Sequence, residues 1–342
     1  MKKQLLIAAV AATMTSVAMA DISITGATKV NYANVDYEKA GVESTNTIKH
    51  DTDFTIVGKN GGTTVSATFS TTAKSVVGKV GSPTAGVGTN ESSTTGTANT
   101  LATGGLVTEN VYMTSSIGDV NVKVGDWDNG DDFVSDSSRA VGKLSANTTI
   151  GGVKITFDTA NGSDDAVTLA GTFGGVNASF KEERLGEELK LSTTVQGVTI
   201  AYHADNSDTA DSDKSSIELS GTVSGVNLAY VAMSTDTNAS IGGDSWAGDF
   251  EVASDDATAY QLANNQDVTA MKISTAVAGN TVSFTRTNVD GVTNEDTDIN
   301  KFTVTRPLAS GATFEMTYTD LDDKGSDTTD STTLDLELAV KF

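Results

Sequence analysis

Cysteine is absent from the 342 residues, so no disulfide framework, thiolate metal site or catalytic thiol is available. Proline occurs only twice and histidine only twice, at His50 and His203. Basic residues are scarce: 22 Lys and Arg stand against 45 Asp and Glu, a net charge of −23 that would repel the phosphates of a nucleic acid. No run of about 18 uninterrupted apolar residues exists, which excludes a helical membrane protein. The chain is long enough to bury a sizeable core, so disorder is not forced. What is abundant is Gly, Thr, Ser, Asp and Val, with few helix formers, a composition that reads as many short strands.

The amino terminus reads as an export signal. Lys2 and Lys3 form a basic start, Leu5 to Val10 and the following alanines an apolar stretch, and Ala18-Met19-Ala20 a small-residue cleavage site before Asp21. Removal of residues 1–20 takes two lysines and moves the net charge from −23 to −25. Residues 21–342 then form one domain, with no interdomain linker in the sequence.

Strict two-residue alternation marks the strands. Leu334, Leu336, Leu338, Val340 and Phe342 alternate with Asp335, Glu337, Ala339 and Lys341 to the last residue. The same period runs through Phe314-Met316-Tyr318, Val226-Leu228-Tyr230, Val198-Ile200-Tyr202, Val176-Ala178-Phe180, Val153-Ile155-Phe157, Val120-Val122-Val124 and Val65-Ala67-Phe69. Each is oily on one side only. Tight glycine turns recur at Asn60-Gly61-Gly62, Gly118-Asp119, Gly151-Gly152, Gly174-Gly175, Gln196-Gly197, Ser224-Gly225, Gly279-Asn280 and Ser310-Gly311.

The opposite connections are longer, polar and acidic, as at Asn161–Asp165, Asp205–Asp213, Val289–Asn300 and Asp322–Thr332. A meander with tight turns at one end and long loops at the other is what a closed antiparallel up-and-down transmembrane β-barrel requires, since no strand edge can face lipid. Eight tight turns mark sixteen strands, and the segments beginning at Asp21 and ending at Phe342 raise the count to eighteen. Two segments break the rhythm, Lys74 to about Thr108 and Thr235 to Asp267, and both read as extracellular loops.

With this signal sequence, alternation and terminal Phe342, the mature chain resembles a Gram-negative general porin along its length. The resemblance implies sixteen strands, a location in the outer membrane, and a water-filled channel for passive diffusion of small hydrophilic solutes and ions. It implies no enzymatic activity and no cofactor. Leu338-Ala339-Val340-Lys341-Phe342 is similar to the carboxyl-terminal signal that the barrel-assembly machinery reads, although Glu337 stands where that signal often has glycine. Asp21-Ile22-Ser23-Ile24-Thr25-Gly26 resembles a mature porin amino terminus, and the family closes its barrel by pairing the first and last strands so that the terminal groups meet. The resemblance further implies a homotrimer, with Lys74–Thr108 latching onto a neighbour, and contact with lipopolysaccharide.

Porins fold the loop after the fifth strand inward as a constriction. By that resemblance the candidate is residues 126–142, after Val120–Gly125, with Asp126, Asp128, Asp131, Asp132 and Asp136 as its carboxylates. Strand parity places Lys29, Lys123, Lys154, Lys190, Lys272 and Lys301 on the wet face as a candidate basic pore wall, where a charge stays hydrated; facing lipid at mid-depth it would cost about 2–4 kcal/mol. Arg286 and Arg306 instead share parity with oily neighbours, which suits strand ends or a subunit contact. The acidic balance points to a mild cation preference.

Other readings remain open at this level. A substrate-specific outer-membrane channel fits the same features. A barrel enzyme would need His203, with Asp205 nearby, as its acid or base, yet no G-x-S-x-G element accompanies it. A secreted β-solenoid adhesin shares the composition but calls for a fixed internal repeat, which the uneven turn spacing lacks. Acidic pairs such as Asp164-Asp165, Asp131-Asp132 and Asp255-Asp256 can hold Ca²⁺ in principle, but no twelve-residue ligand loop is present, and solvated carboxylates are the preferred reading.

Overall fold

The structure, a computed structural model, describes residues 21–37, 44–71, 76–79, 106–127, 142–159, 165–184, 186–208, 212–236, 266–291, 296–324 and 330–342. Residues 1–20, read above as an export signal, and most of the candidate constriction loop lie outside them. All regular structure among the described residues is β. In chain order the segments are β1 (Asp21–Tyr37), β2 (Thr45–Asn60), β3 (Thr63–Thr71), β4 (Val76–Lys79), β5 (Leu106–Ile117), β6 (Val120–Asp126), β7 (Lys143–Ile150), β8 (Val153–Thr159), β9 (Ala166–Phe173) and β10 (Val176–Glu183). There follow β11 (Gly186–Val195), β12 (Val198–Ser207), β13 (Lys214–Val223), β14 (Val226–Thr235), β15 (Gln266–Val277), β16 (Asn280–Gly291), β17 (Thr297–Pro307), β18 (Ala312–Asp323) and β19 (Ser331–Lys341).

Every neighbouring pair is antiparallel, and β1 pairs with both β2 and β19, so the sheet closes on itself. The β3 and β4 segments share one position in the wall: β2 pairs with β3 along Asp53–Asn60 and with β4 along Thr45–Ile48. Nineteen segments therefore make an eighteen-strand barrel. Asp53 faces Ser70 in the first stretch and Ile48 faces Val76 in the second.

The turn count of eighteen holds, and the sixteen implied by the general-porin resemblance does not. The expectation that Lys74–Thr108 is entirely loop is corrected at both ends, where β4 and the start of β5 are wall. The strand ends also run further than alternation suggested. Val289–Asn300 reads as a loop in the sequence, but β16 continues to Gly291 and β17 begins at Thr297.

Closure is made at Gly26. Its N–H donates to the Phe342 carbonyl at 2.8 Å, and the Phe342 N–H donates back to the Gly26 carbonyl at 2.9 Å. Phe342 thus meets β1 five residues in from Asp21, and Asp21 and Phe342 do not stand opposite each other. The side of Gly26 that lacks a Cβ is occupied by the Phe342 ring.

Glycine turns fix the strand ends at one mouth of the barrel. Gln196, Ser224 and Ala278 take φ near +50°, each followed by a glycine near +80°, the pairing of two left-handed residues that matches the twist of a hairpin. The turn read at Gly279-Asn280 is in fact Ala278-Gly279, one residue earlier. An L-residue in this conformation costs about 1–2 kcal/mol. Ala278→Asn, which tolerates it better, is expected to stabilise the barrel by about 0.5 kcal/mol, seen as a higher urea midpoint.

Curvature separates the two faces. Ser66, Ser216 and Thr287 are about 95% buried on one parity, while their neighbours on the other, such as Leu219 and Ile217, are over 40% exposed. A closed sheet crowds its concave side, so the first parity faces inward. The outer face carries Ile22, Ile24, Val124, Leu169, Ile200, Tyr230, Phe302 and Leu338 among others, all exposed. On the inner face Val231, Met233, Val268, Ala270 and Val289 of β14–β16 form a buried apolar cluster, and Ile299 of β17 and Leu321 of β18, opposite each other, are buried on the same face.

Candidate functional site

The inner face is where the ionisable groups collect. Alternation sends Lys29, Lys123, Lys154, Lys190, Lys272 and Lys301 inward, opposite Asp51, Thr114, Thr149, His203, Thr285 and Thr319 respectively. The six lysines read as a candidate basic wall thus share the inner face, and they are not the whole of its basic set. Lys143, Lys181 and Lys214 share the inner face, and their signal was available: Val176, Ala178 and Phe180 point outward, which sends Lys181 inward.

Carboxylates interleave with these lysines. Asp335 accepts a hydrogen bond from Asn31 Nδ2 at 2.5 Å across the closing seam, and Glu315 accepts one from Thr305 at 2.9 Å. The densest cluster spans β10–β13. Glu188 Oε1 lies 2.6 Å from Lys190 Nζ and 2.6 Å from His203 Nε2, Lys214 Nζ lies 3.6 Å from Asp205 Oδ2, and Lys181 pairs with Glu183. The carboxylate on His203 is therefore Glu188, from the neighbouring strand, and not Asp205 as sequence proximity suggested. Residues 203 and 205 are successive inward positions along one strand, separated by about 7 Å, whereas Glu188 approaches diagonally across the ladder.

A second constellation stands where β6 meets the candidate constriction segment. Lys123 Nζ lies between two rings, 4.1 Å from the Tyr112 centroid and 4.2 Å from that of Trp127, with Lys143 Nζ 5.7 Å from the same indole. The two rings meet edge to face at 6.3 Å. Trp127 is 96% buried, so the chain leaves β6 with an aromatic anchor set on the inner side of the wall. Gly125 permits this approach: at φ +136° it sits where a Cβ would lie 2.2 Å from the Val111 carbonyl oxygen.

Asp126 behaves differently from the expectation for it. Its carboxylate accepts a hydrogen bond from the Gly142 N–H at 2.7 Å, tying together the two ends of the connection. Its parity is that of Val124 and Val122, away from the inner face, because Trp127 and not Asp126 takes the inward position. Asp128, Asp131, Asp132 and Asp136 lie outside the described residues. So do the acidic pairs considered for Ca²⁺, apart from Asp165.

On the outer face, above the girdle, Asp298 gathers Arg286 at 3.6 Å, Lys324 at 2.9 Å and Asn288. Beyond the end of β18, the hydrogen bond from Lys324 to Asp298 holds the ammonium proton and raises the lysine above its ordinary range. Arg286 thus lies in the polar strand extension, as its parity implied, in an ion pair on its own barrel.

No protein-family model matches the sequence, and no curated protein does. Solved structures do match. OccAB4 of Acinetobacter baumannii superposes with a TM-score of 0.63 at 9% identity, covering 94% of this chain and 98% of that one. A double variant of OccD1 (OprD) gives 0.63 at 10% identity over 94% and 95%, and a mutant of Rh. blastica porin gives 0.50 at 12% identity over 94% and 100%. The fold is a porin fold. At identities of 9–12% the likeness is one of architecture alone.

Proposed function

We propose that the chain forms a water-filled channel in the outer membrane of a Gram-negative cell, through which small hydrophilic solutes and ions diffuse passively. The observation that carries this reading is the division of the wall, with large apolar side chains exposed outside and lysines interleaved with carboxylates inside. An outer face of that kind suits hydrocarbon, and a closed wall of eighteen strands leaves room for an aqueous lumen. The signal sequence at residues 1–20 belongs to the same reading, as does recognition of Phe342 by the assembly machinery.

Residues 126–142 are the constriction in this reading, with Asp128, Asp131, Asp132 and Asp136 facing the lysine wall. The buried Trp127 supports it, since the connection departs from the inner side. Shortening residues 128–141 to a glycine linker is expected to raise single-channel conductance several-fold in planar bilayers, and unchanged conductance would remove the segment from the narrowest section. Selectivity for a solute class is the second reading. It is favoured by the eighteen-strand count and by the higher TM-scores against OccAB4 and OccD1 than against the Rh. blastica porin.

Liposome swelling with sugars of graded size separates the readings. Rates that fall smoothly with solute size mark a general channel, and one sugar that outruns smaller ones marks a selective one. Liposomes that remain impermeable to all of them overturn both. A homotrimer is part of the proposal, tested by the subunit number of the detergent-extracted, unheated protein.

A further inference from the structure

We propose that Glu188, His203 and Lys190 form the site at which the lumen discriminates anions from cations, with the proton on His203 shifting the balance toward anions. This rests on the channel reading above and adds to it the residues that set charge selectivity.

The register builds the site on the inner face in two adjoining rows. In one, Lys181 stands beside Glu188, Glu188 beside Asp205 and Asp205 beside Lys214. In the next, Lys190 stands beside His203 and His203 beside Ser216. Glu188 belongs to both rows through one oxygen, which contacts Lys190 and His203 at the same 2.6 Å. Exposure then assigns the roles. The side chains of Glu188 and His203 are 12% and 11% exposed and form the base, whereas that of Lys190 is 45% exposed and meets solutes.

The groups that face the imidazole can be taken strand by strand. From β11 come Glu188 and Lys190, from β13 Lys214 and Glu218, from its own strand Asp205, and beyond β11 the Lys181–Glu183 pair of β10. Three ammonium groups therefore stand against four carboxylates. With His203 neutral, its Nε2–H donates to Glu188, the carboxylate still neutralises Lys190, and the patch is net negative. With His203 protonated, the patch is net neutral. Imidazolium now shares the Glu188 charge, so Glu188 neutralises Lys190 less and the exposed ammonium presents more positive field to the lumen. The apolar girdle behind the wall keeps that field from being screened on the outer side.

The test is the reversal potential of the intact protein in a KCl gradient. Lowering the pH from about 7.5 to about 5, across the range where histidine titrates, is expected to raise chloride over potassium permeability several-fold. His203→Gln is expected to conduct without that shift, His50→Gln to retain it, and Glu188→Gln to show the anion-preferring value at both pH values. Should His203→Gln fail to insert, Lys190→Gln reports instead, with a chloride preference at low pH below that of the unaltered protein. A shift absent from the unaltered protein, one of full size in His203→Gln, or one lost in His50→Gln overturns the proposal. Those outcomes leave a conducting channel, whereas a protein that conducts at no pH overturns the channel reading itself.

Discussion

Gly26→Val is expected to prevent closure of the barrel. A Cβ at this position would lie 2.5 Å from Phe342 Cζ and 2.7 Å from the Asp53 carbonyl oxygen. The aromatic ring can swing away, but the carbonyl belongs to β2 and is fixed by the β1–β2 ladder. The branched side chain must therefore displace either that ladder or the terminal residue, whose two hydrogen bonds to Gly26 form the end of the β1–β19 seam. Overpacking of this kind costs about 1–3 kcal/mol, and the lost seam bonds add to it. The unheated protein should then lose its compact, heat-modifiable migration in detergent. Phe342→Ala separates the two contributions: it removes the ring and keeps the backbone bonds, so it should fold with a lowered urea midpoint. A Gly26→Val protein with unchanged migration and midpoint would show that the seam does not depend on this contact.

Gly125→Ala is the second large effect. Its φ of +136° is a conformation that L-residues rarely adopt, and the new methyl would meet backbone on the facing strand, 2.2 Å from Val111 O and 2.6 Å from Tyr112 Cα. Neither atom can yield without breaking the β5–β6 pairing. Strain and displacement together should cost about 3 kcal/mol or more. The damage reaches beyond stability, because Gly125 lies between Lys123 and Trp127. Moving it separates the ammonium from its two rings and releases the anchor from which residues 128–141 depart. The measurable outcome is a lower urea midpoint with broadened tryptophan emission, and, in bilayers, noisier current than that of the unaltered protein. Lys123→Met keeps the stem and removes the charge, so it should leave the midpoint near its original value while weakening the hold on Trp127.

The apolar–polar alternation was legible because lipid and water impose opposite demands on neighbouring residues. Val198, Ile200 and Tyr202 could only be one face of a strand, and from their parity the inward direction of His203 followed. Eighteen strands could be counted from the turns, since Gly151-Gly152 and Gly174-Gly175 supply left-handed conformations without steric cost. Where a turn used Ala278, the same logic slipped by one residue, because no sequence rule favours alanine at φ +51°. The extended ends of β16 and β17 were lost for a related reason. Above the girdle their outward side chains are Asn288, Asp290, Asp298 and Asn300, so the hydrophobic period stops while the backbone ladder continues.

Composition and period alone determined that this chain is a β-barrel with an oily exterior and roughly how many strands it has. They did so because each is a property of a residue and its immediate neighbours along the strand. The β4 segment, the meeting of Phe342 with Gly26, and the choice of Glu188 as partner of His203 were decided only by tertiary structure. Each depends on cross-strand register, and a shift of two residues would preserve every inward and outward assignment while changing which side chains touch.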